Sequence, residues 1–120
     1  MEDFKKLLKS KMHTFVQEVF LLTKNFPRDE IYITTSQLKR AALSIILNYT
    51  EGYARFTPKN QLNFMRTSYG SLKETEYLIF FALKQNFLTN DDYNNLDNRL
   101  KEIGRMLWTE ITSLTKSVEE

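Results

Sequence analysis

The feature that most constrains the fold is the stretch from Gln37 to Gly52, which is apolar around most of a helical circumference. A single polar line interrupts it, with members three or four residues apart: Arg40, Ser44, Asn48, Glu51 and Arg55. Residues at this spacing lie above one another on one face of an α-helix. A helix with so little polar surface does not suit the outside of a monomer. We therefore expect it to be central to the fold or to meet another subunit.

Apolar residues recur every three or four positions in four segments, which is typical of amphipathic α-helices. The predicted inward seams run from Phe4 to Phe26, from Leu38 to Phe56, from Leu62 to Leu83 and from Tyr93 to Val118. In the third segment the predicted seam consists of Leu62, Met65, Tyr69, Leu72, Glu76, Ile79 and Leu83. No segment alternates with a period of two, so the sequence predicts an all-α protein.

The segments are separated by residues that end or begin helices. Pro27 disfavours helical geometry in the residue before it, and Thr34, Thr35 or Ser36 is expected to cap the second helix. Thr57 followed by Pro58 predicts the start of the third helix, and Thr89 followed by two aspartates predicts the start of the fourth. The two short links force neighbouring helices to run antiparallel. Residues 1–120 are thus predicted to form one domain, an antiparallel up-down-up-down four-helix bundle.

The composition excludes several classes of protein. The chain has no cysteine, which rules out disulfides and thiolate metal sites. No run approaches the ~18 apolar residues of a membrane span, and the N-terminus lacks a basic signal region, so we expect a cytoplasmic protein without a membrane role. The net charge of +2 is small for a strong nucleic-acid binder, and residues 87–120 have more acidic than basic side chains.

Basic residues recur at helical spacing on the second and third helices. Two alternatives remain open for them: they contact the phosphates of RNA or DNA, or they form an ordinary solvated face. The candidate nucleic-acid-binding residues are Lys39, Arg40, Arg55, Lys59, Arg66 and Lys73.

Acidic and amide side chains interrupt the apolar seams, but they do not form a catalytic or metal-binding pattern. Two interpretations of Asn48 and Glu51 remain open. They form a polar site that lines an assembly interface or contacts a ligand, or, as we expect, Asn48 bonds back to neighbouring groups and Glu51 pairs with Arg55. Glu76, in the third seam, is expected to be a buried or half-buried structural residue rather than a catalytic or metal-binding one. The single histidine, His13, lacks the companion carboxylates of a helical metal site. The sequence therefore predicts no catalytic residues, no metal and no cofactor.

Two glycines lie within predicted helices, where glycine costs about 1 kcal/mol relative to alanine. Close approach of another helix is the usual reason for accepting that cost. We therefore expect a close contact at Gly70, whereas Gly52 either makes a similar contact or helps the second helix to end before Phe56. Neither glycine belongs to a phosphate-binding loop.

Two motifs resemble a known family. The run from Ser36 to Ile45, followed by Asn48 and Glu51-Gly52, and the run from Gly70 to Glu76 are similar to the hallmarks of 23S rRNA intervening-sequence proteins. The resemblance covers roughly residues 5–115. It departs where the family commonly has proline at Ile46 and Ile-Ala at Tyr49-Thr50.

This resemblance implies a four-helix bundle that assembles into a closed ring, typically of five subunits around a channel. A related accessory protein of diversity-generating retroelements has the same bundle and partners a reverse transcriptase and nucleic acid. By resemblance, the hallmark positions are structural or interfacial rather than catalytic: Asn48, Glu51, Gly52, Gly70, Ser71, Glu74 and Glu76.

Taken together, these patterns favour a non-enzymatic homo-oligomer that is associated with RNA or DNA or acts as a scaffold. The alternative is a protein-interaction module that docks a partner polypeptide and has no nucleic-acid role. Salt dependence distinguishes the two, because phosphate binding weakens steeply with ionic strength and apolar docking does not.

Overall fold

A computed structural model of the chain describes residues 2–119. It contains four long helices, α1 (Glu2–Leu22), α2 (Ser36–Tyr53), α3 (Pro58–Lys84) and α4 (Asn90–Glu119). Contacts between successive helices run in opposite order along the chain. Lys5 lies over the ring of Tyr53, whereas Phe20, further along α1, lies under Lys39 near the start of α2. The predicted all-α four-helix bundle is confirmed, with dimensions of 49 × 25 × 19 Å.

One apolar cluster fills the centre of the bundle and receives side chains from all four helices. Leu8, Phe15, Ile45, Ile79 and Leu100 are representative members, and each is almost completely buried. Burial of one such side chain contributes about 1.5–3 kcal/mol, so the core is the main source of stability. Within residues 2–119, no helix is long and apolar enough to cross a bilayer.

The predicted starts of α3 and α4 are confirmed. The Thr57 hydroxyl accepts a hydrogen bond from the Asn60 N–H at 3.3 Å, and Pro58 is the first residue of α3. At α4, the Thr89 hydroxyl accepts from the Asp92 N–H at 3.1 Å. Each hydroxyl satisfies a backbone donor that has no partner within its helix.

The link between α1 and α2 differs from the prediction in one respect. The predicted break at Pro27 is confirmed by two short 3₁₀ turns, Thr23–Asn25 and Arg28–Glu30. A π-turn, Ile31–Thr35, then leads directly into α2. The expected hydroxyl cap of α2 is wrong, because helical geometry already exists before Ser36 and Thr35 makes no capping hydrogen bond.

Small residues lie where α2 and α3 pack together. Ser68 donates a hydrogen bond to the carbonyl oxygen of Ile45 at 2.6 Å, and the hydroxyls of Ser44 and Ser71 are 2.7 Å apart. A β-carbon added to Gly52 would lie 3.2 Å from the β-carbon of Phe64 and 2.9 Å from the terminal methyl of Met65. The close contact, one of the two roles predicted for Gly52, is therefore present.

This close packing corrects the predicted seam of α3. Ser68 and Thr75 occupy buried positions, whereas Tyr69 and Glu76 are only half-buried. Thr75 satisfies its hydroxyl by donating to the Ser71 carbonyl at 2.7 Å. Hydrophobicity favoured the larger neighbours, but the short distance between α2 and α3 leaves room only for small side chains.

The ends of the predicted seams are corrected as well. Phe56 is fully exposed, because α2 ends at Tyr53 and the chain turns away before it. At the end of α3, Ala82 takes the buried place expected for Leu83. Val118, in the last turn of α4, is exposed.

The solvent side of α2 retains part of its apolar character. The helix is central in that it packs against both α1 and α3. Leu47 nevertheless remains 61% exposed, with half-buried Leu43 and Ile46 beside it. Most apolar side chains of α2 are thus buried inside the bundle. A smaller apolar patch, formed by Leu43, Ile46 and Leu47, remains on its surface.

A polar cluster lies inside the core between α2 and α4. The carboxylate of Glu110 is 4% exposed and accepts a hydrogen bond from the Tyr49 hydroxyl. Because Tyr49 donates its single proton to Glu110, Tyr53 is the donor in the 2.9 Å contact between the two hydroxyls. Burial, with the nearby carboxylate, raises the pKa of Tyr49 above its ordinary value. Burial is also the main cause of the raised pKa of Tyr53.

Two glycine substitutions test the packing of α2 against α3. Nothing lies within 4 Å of a β-carbon built on Gly70, so the close approach expected there is not made within the bundle. We expect Gly70→Ala to raise the free energy of unfolding by about 1 kcal/mol through helix propensity. Gly52→Ala makes the same chemical change where Phe64 is close, and overpacking of about 1–3 kcal/mol should cancel or reverse that gain. Urea unfolding measures both, and a clear gain from Gly52→Ala would contradict the tight contact.

The Glu110 cluster is tested by Tyr49→Phe. We expect a loss of about 1–3 kcal/mol at pH 7, because the buried carboxylate loses its main donor. The raised pKa values of Tyr49 and Tyr53 also make the stability depend on pH. As the pH rises, the unfolded chain loses these tyrosine protons before the folded chain does. Their stabilising effect is present below the ordinary pKa of 10.0 and is lost as the pH rises above it.

As the pH rises above 10.0, Tyr49→Phe should therefore lose less stability than the parent protein. The matched control is Tyr77→Phe, which removes the hydroxyl of an exposed tyrosine and should change neither quantity. Chemical unfolding from neutral to alkaline pH measures all three proteins. Equal stability of Tyr49→Phe and the parent at pH 7 would exclude a supporting role for the hydrogen bond.

Candidate nucleic-acid interface

The structure divides the six predicted basic residues among different surfaces. Lys39 lies over the ring of Phe20 at 4.7 Å, on the α1 side of α2. Arg40 is exposed near the start of α2, and its guanidinium is 3.5 Å from the Ser36 hydroxyl. Lys59 is exposed in the first turn of α3. These three residues therefore do not lie on one face.

Arg55 lies in the link between α2 and α3 and contacts both helices. It forms an ion pair with Glu51 at 2.5 Å and lies over the ring of Phe64 at 4.6 Å. The predicted pairing of Glu51 is confirmed, and so is the predicted bond of Asn48, which donates to the Ser44 carbonyl at 2.9 Å. These side chains stabilise the α2–α3 pair locally.

Arg66 and Lys73, the remaining two predicted residues, face α4. They line a row of adjoining depressions between α3 and α4, which we name the α3–α4 groove. Three adjoining cavities of ≈ 470, ≈ 400 and ≈ 380 Å³ form it, because neighbouring cavities share side chains. Its basic and aromatic lining residues are Arg66, Tyr69, Lys73, Tyr77, Phe80, Tyr93, Lys101, Arg105, Trp108 and Lys116.

The packing of α3 against α4 positions these residues. At Gly104 a β-carbon would lie 3.6 Å from a methyl of Leu72, so the floor of the groove is apolar and narrow. Above this floor, the rings of Tyr69 and Trp108 face each other across the groove, with centroids 5.2 Å apart and planes tilted by 50°. Leu107 is buried in the core, so the adjacent Trp108 lies at the surface and is 54% exposed.

Positive charge in the groove is partly neutralised at one end. Lys73 pairs with Glu76 at 3.5 Å, and Lys101 pairs with Asp97 at 2.7 Å. The hydrogen bond that Lys101 donates to the Asp97 carboxylate is the largest cause of the raised pKa of Lys101. Both ion pairs lie at the end of the groove that Tyr93 lines.

The other end of the groove retains free cations. Arg66, Arg105 and Lys116 form no ion pair with any residue between positions 2 and 119. All three are exposed and lie close to the Tyr69–Trp108 pair. This end combines unneutralised charge with aromatic surface, which is the pairing of groups used to bind nucleic acid.

Sequence reasoning missed the residues that α4 contributes. Lys101, Arg105, Trp108, Thr112 and Lys116 are spaced by three or four residues and lie on one helical face. The same spacing identified the polar line of α2, so the signal was available. The sequence prediction did not include this row of α4, because residues 87–120 have more acidic than basic side chains.

The hallmark carboxylates and glycine occupy different environments. Glu74 and Gly70 are exposed on α3, whereas Glu76 is half-buried beside the groove. Glu110 has no place among the hallmark positions, yet it is the buried carboxylate of the core. Among residues 2–119, no three His, Cys, Asp or Glu side chains are grouped closely enough to hold a metal ion.

Another depression lies beside the π-turn, outside the α3–α4 groove. Its volume is ≈ 890 Å³, and Lys39 is one of its lining residues. Apolar side chains in or next to it are exposed: Leu21, Ile31, Tyr32 and Ile33. The Thr35 hydroxyl faces this region without a hydrogen-bond partner among the described residues.

Comparison with known proteins gives two similarities. A sequence model of the family described as 23S rRNA-intervening sequence protein matches residues 6–109. The bundle is also similar to the crystal structure of a protein with unknown function from the S23 ribosomal protein family of Bacteroides thetaiotaomicron VPI-5482. That likeness has a TM-score of 0.81 at 22% identity, over 87% of this chain and 97% of the other, and it shows the fold alone. No curated protein matches the sequence.

Proposed function

This chain belongs to the family of 23S rRNA-intervening sequence proteins, and we propose that it is a homo-oligomeric helical bundle that binds RNA or DNA without catalysing a reaction. The observation that supports binding most is the group of free cations beside the α3–α4 groove: Arg66, Arg105 and Lys116. Exposed cations attract the phosphate backbone, and release of its counterions makes the interaction favourable at low salt.

The proposal narrows the predicted binding residues to those that face the groove. Arg66 and Lys73 remain, and α4 adds Arg105 and Lys116. Lys59 precedes Arg66 by seven residues and therefore lies on the same face of α3. It extends the basic surface toward the α2–α3 link. Lys39, Arg40 and Arg55 contribute less in this proposal, because Lys39 packs on another face and Arg55 is paired with Glu51.

A non-catalytic role is supported by how the carboxylates are used. Glu51 and Glu76 are occupied by ion pairs with Arg55 and Lys73. Glu110 is hydrogen-bonded inside the core, where a substrate does not reach it. A general acid or base must lie within hydrogen-bond reach of a proton on its substrate, and these three carboxylates are instead bonded to groups of the protein itself.

Self-association is supported by the apolar patch on α2. Leu47, Leu43 and Ile46 form an apolar area on the solvent side of α2. A second copy that covers this patch would remove it from water. Oligomerisation would also place several grooves on one particle, which raises the effective concentration of binding sites along a nucleic-acid strand. We propose a ring, with five subunits by resemblance to the family.

A second candidate function is docking of a partner polypeptide. The exposed side chains of Leu21, Ile31, Tyr32 and Ile33 beside the ≈ 890 Å³ depression favour it. Such a docking surface is separate from the α3–α4 groove. Binding there would change little with salt concentration, whereas phosphate binding would fall steeply.

Charge reversal tests the nucleic-acid proposal. In Arg66→Glu/Arg105→Glu/Lys116→Glu, we expect at least tenfold weaker binding of RNA and DNA at low salt. The plot of log affinity against log salt should also become shallower by about 2, because each lost phosphate contact accounts for about 0.7–0.9. Fluorescence anisotropy of a labelled oligonucleotide over a range of salt concentrations measures both quantities.

A matched triple variant controls for net charge. Lys39→Glu/Arg40→Glu/Arg55→Glu changes the total charge equally but alters α2 instead of the groove. It should retain most of the affinity. Equal losses in the two triple variants would contradict the groove as the site, and absence of salt-sensitive binding in the parent would favour the protein-docking function.

Leu47→Glu tests self-association. A charge in the middle of the apolar patch should lower the particle mass measured by light scattering, because a buried, unpaired carboxylate opposes assembly. Leu7→Glu is the control, since Leu7 is an exposed leucine on α1. A parent protein that is monomeric, or an unchanged mass in Leu47→Glu, would contradict the proposed interface.

A further inference from the structure

We infer that Trp108, supported by the Tyr69 ring beside it, stacks on an unpaired base, so that the ligand of the α3–α4 groove is single-stranded nucleic acid rather than a duplex. This inference rests on the proposed function and specifies its ligand class. Phosphate contacts alone do not distinguish the two forms. The exposed aromatic rings do, because the faces of bases are covered in a duplex and available in a single strand.

The geometry of the pair suits a base. Trp108 presents more than half of its surface to solvent, and the centroid of the Tyr69 ring lies 5.2 Å from its own. Because the two planes are tilted by 50°, the rings are not stacked in parallel. Trp108 lines the ≈ 470 Å³ cavity together with Ile111 and Thr112, so its exposed surface is accessible to a base there.

The surrounding charges fit a polyanion with projecting bases. Arg66, Arg105 and Lys116 surround the aromatic pair and are free of ion pairs within the described part of the chain. A base on Trp108 would leave its own phosphate near these cations. An apolar protein segment in the same place would instead cover three cations without neutralising them, which costs free energy.

The cavity offers little to read the identity of the base. The hydroxyl of Thr115 donates to the Ile111 carbonyl at 2.7 Å, so it is turned toward its own helix. Stacking tolerates any base because each has a π-face. We therefore expect binding with weak sequence preference.

The single tryptophan of the chain provides a direct readout. Titration with oligothymidylate of about 12 nucleotides, a length within typical single-strand site sizes, should quench the fluorescence of Trp108. An abasic oligomer with the same number of phosphates should bind about 5- to 150-fold more weakly, the range expected for loss of one stacked base. A blunt duplex of the same length should bind more weakly than the single strand and cause little quenching.

Variants of Trp108 separate stacking from folding. Trp108→Ala should lose affinity for the oligothymidylate, measured by anisotropy of a labelled strand, and should bind the normal and abasic strands equally. Trp108→Phe retains an aromatic face and should recover much of the affinity. Tyr32→Ala removes a 92% exposed ring outside the groove and serves as the control. Circular dichroism tests whether each variant keeps its fold, and light scattering tests whether it keeps its particle mass.

The possible results separate the two proposals. Equal binding of abasic, duplex and single strands would overturn the stacking inference while leaving phosphate binding in place. No binding of any of them at low salt would overturn both. A lower particle mass for Trp108→Ala, with unchanged binding per chain, would assign the aromatic pair to a subunit interface and overturn the inference.

Discussion

The structure depends on how closely α2 approaches α3. Glycine and serine occupy the contact, and Ser68 donates its hydroxyl to a backbone carbonyl of α2. Such short-range contacts allow little rotation of α3 about its axis. With Ser68 and Thr75 directed inward, the residues that follow them in sequence, Tyr69 and Glu76, must lie toward α4. The groove is thus a consequence of packing on the opposite side of the same helix.

Local signals made most of the fold predictable from sequence. Apolar spacing indicated four helices, and Thr57 with Pro58 marked the start of α3, because capping depends only on neighbouring residues. The rotation of α3 was not predictable in the same way. Hydrophobicity ranks Tyr69 above Ser68 as a core residue, but the distance between two helices, which no local pattern contains, reverses that order.

The candidate site was predictable only in part. The heptad spacing of Arg66 and Lys73 identified the α3 side of the groove. The α4 side required knowledge of which helices are neighbours, because Arg105 and Trp108 are distant in sequence from α3. The pairing of Glu110 with Tyr49 is of the same kind, since 61 residues separate the two partners and neither looks exceptional alone.

The weak net charge of the chain is compatible with phosphate binding because the fold sorts charge by surface. On α4, Glu102 pairs with Lys11 of α1 at 3.0 Å, and Glu110 is buried in the core. These acidic groups are therefore absent from the Arg66 and Arg105 side of the helix. Interactions between exposed charges are screened over about 8 Å at physiological salt. The local arrangement, rather than the total of +2, decides what the groove attracts, and attraction begins only once a strand is near it.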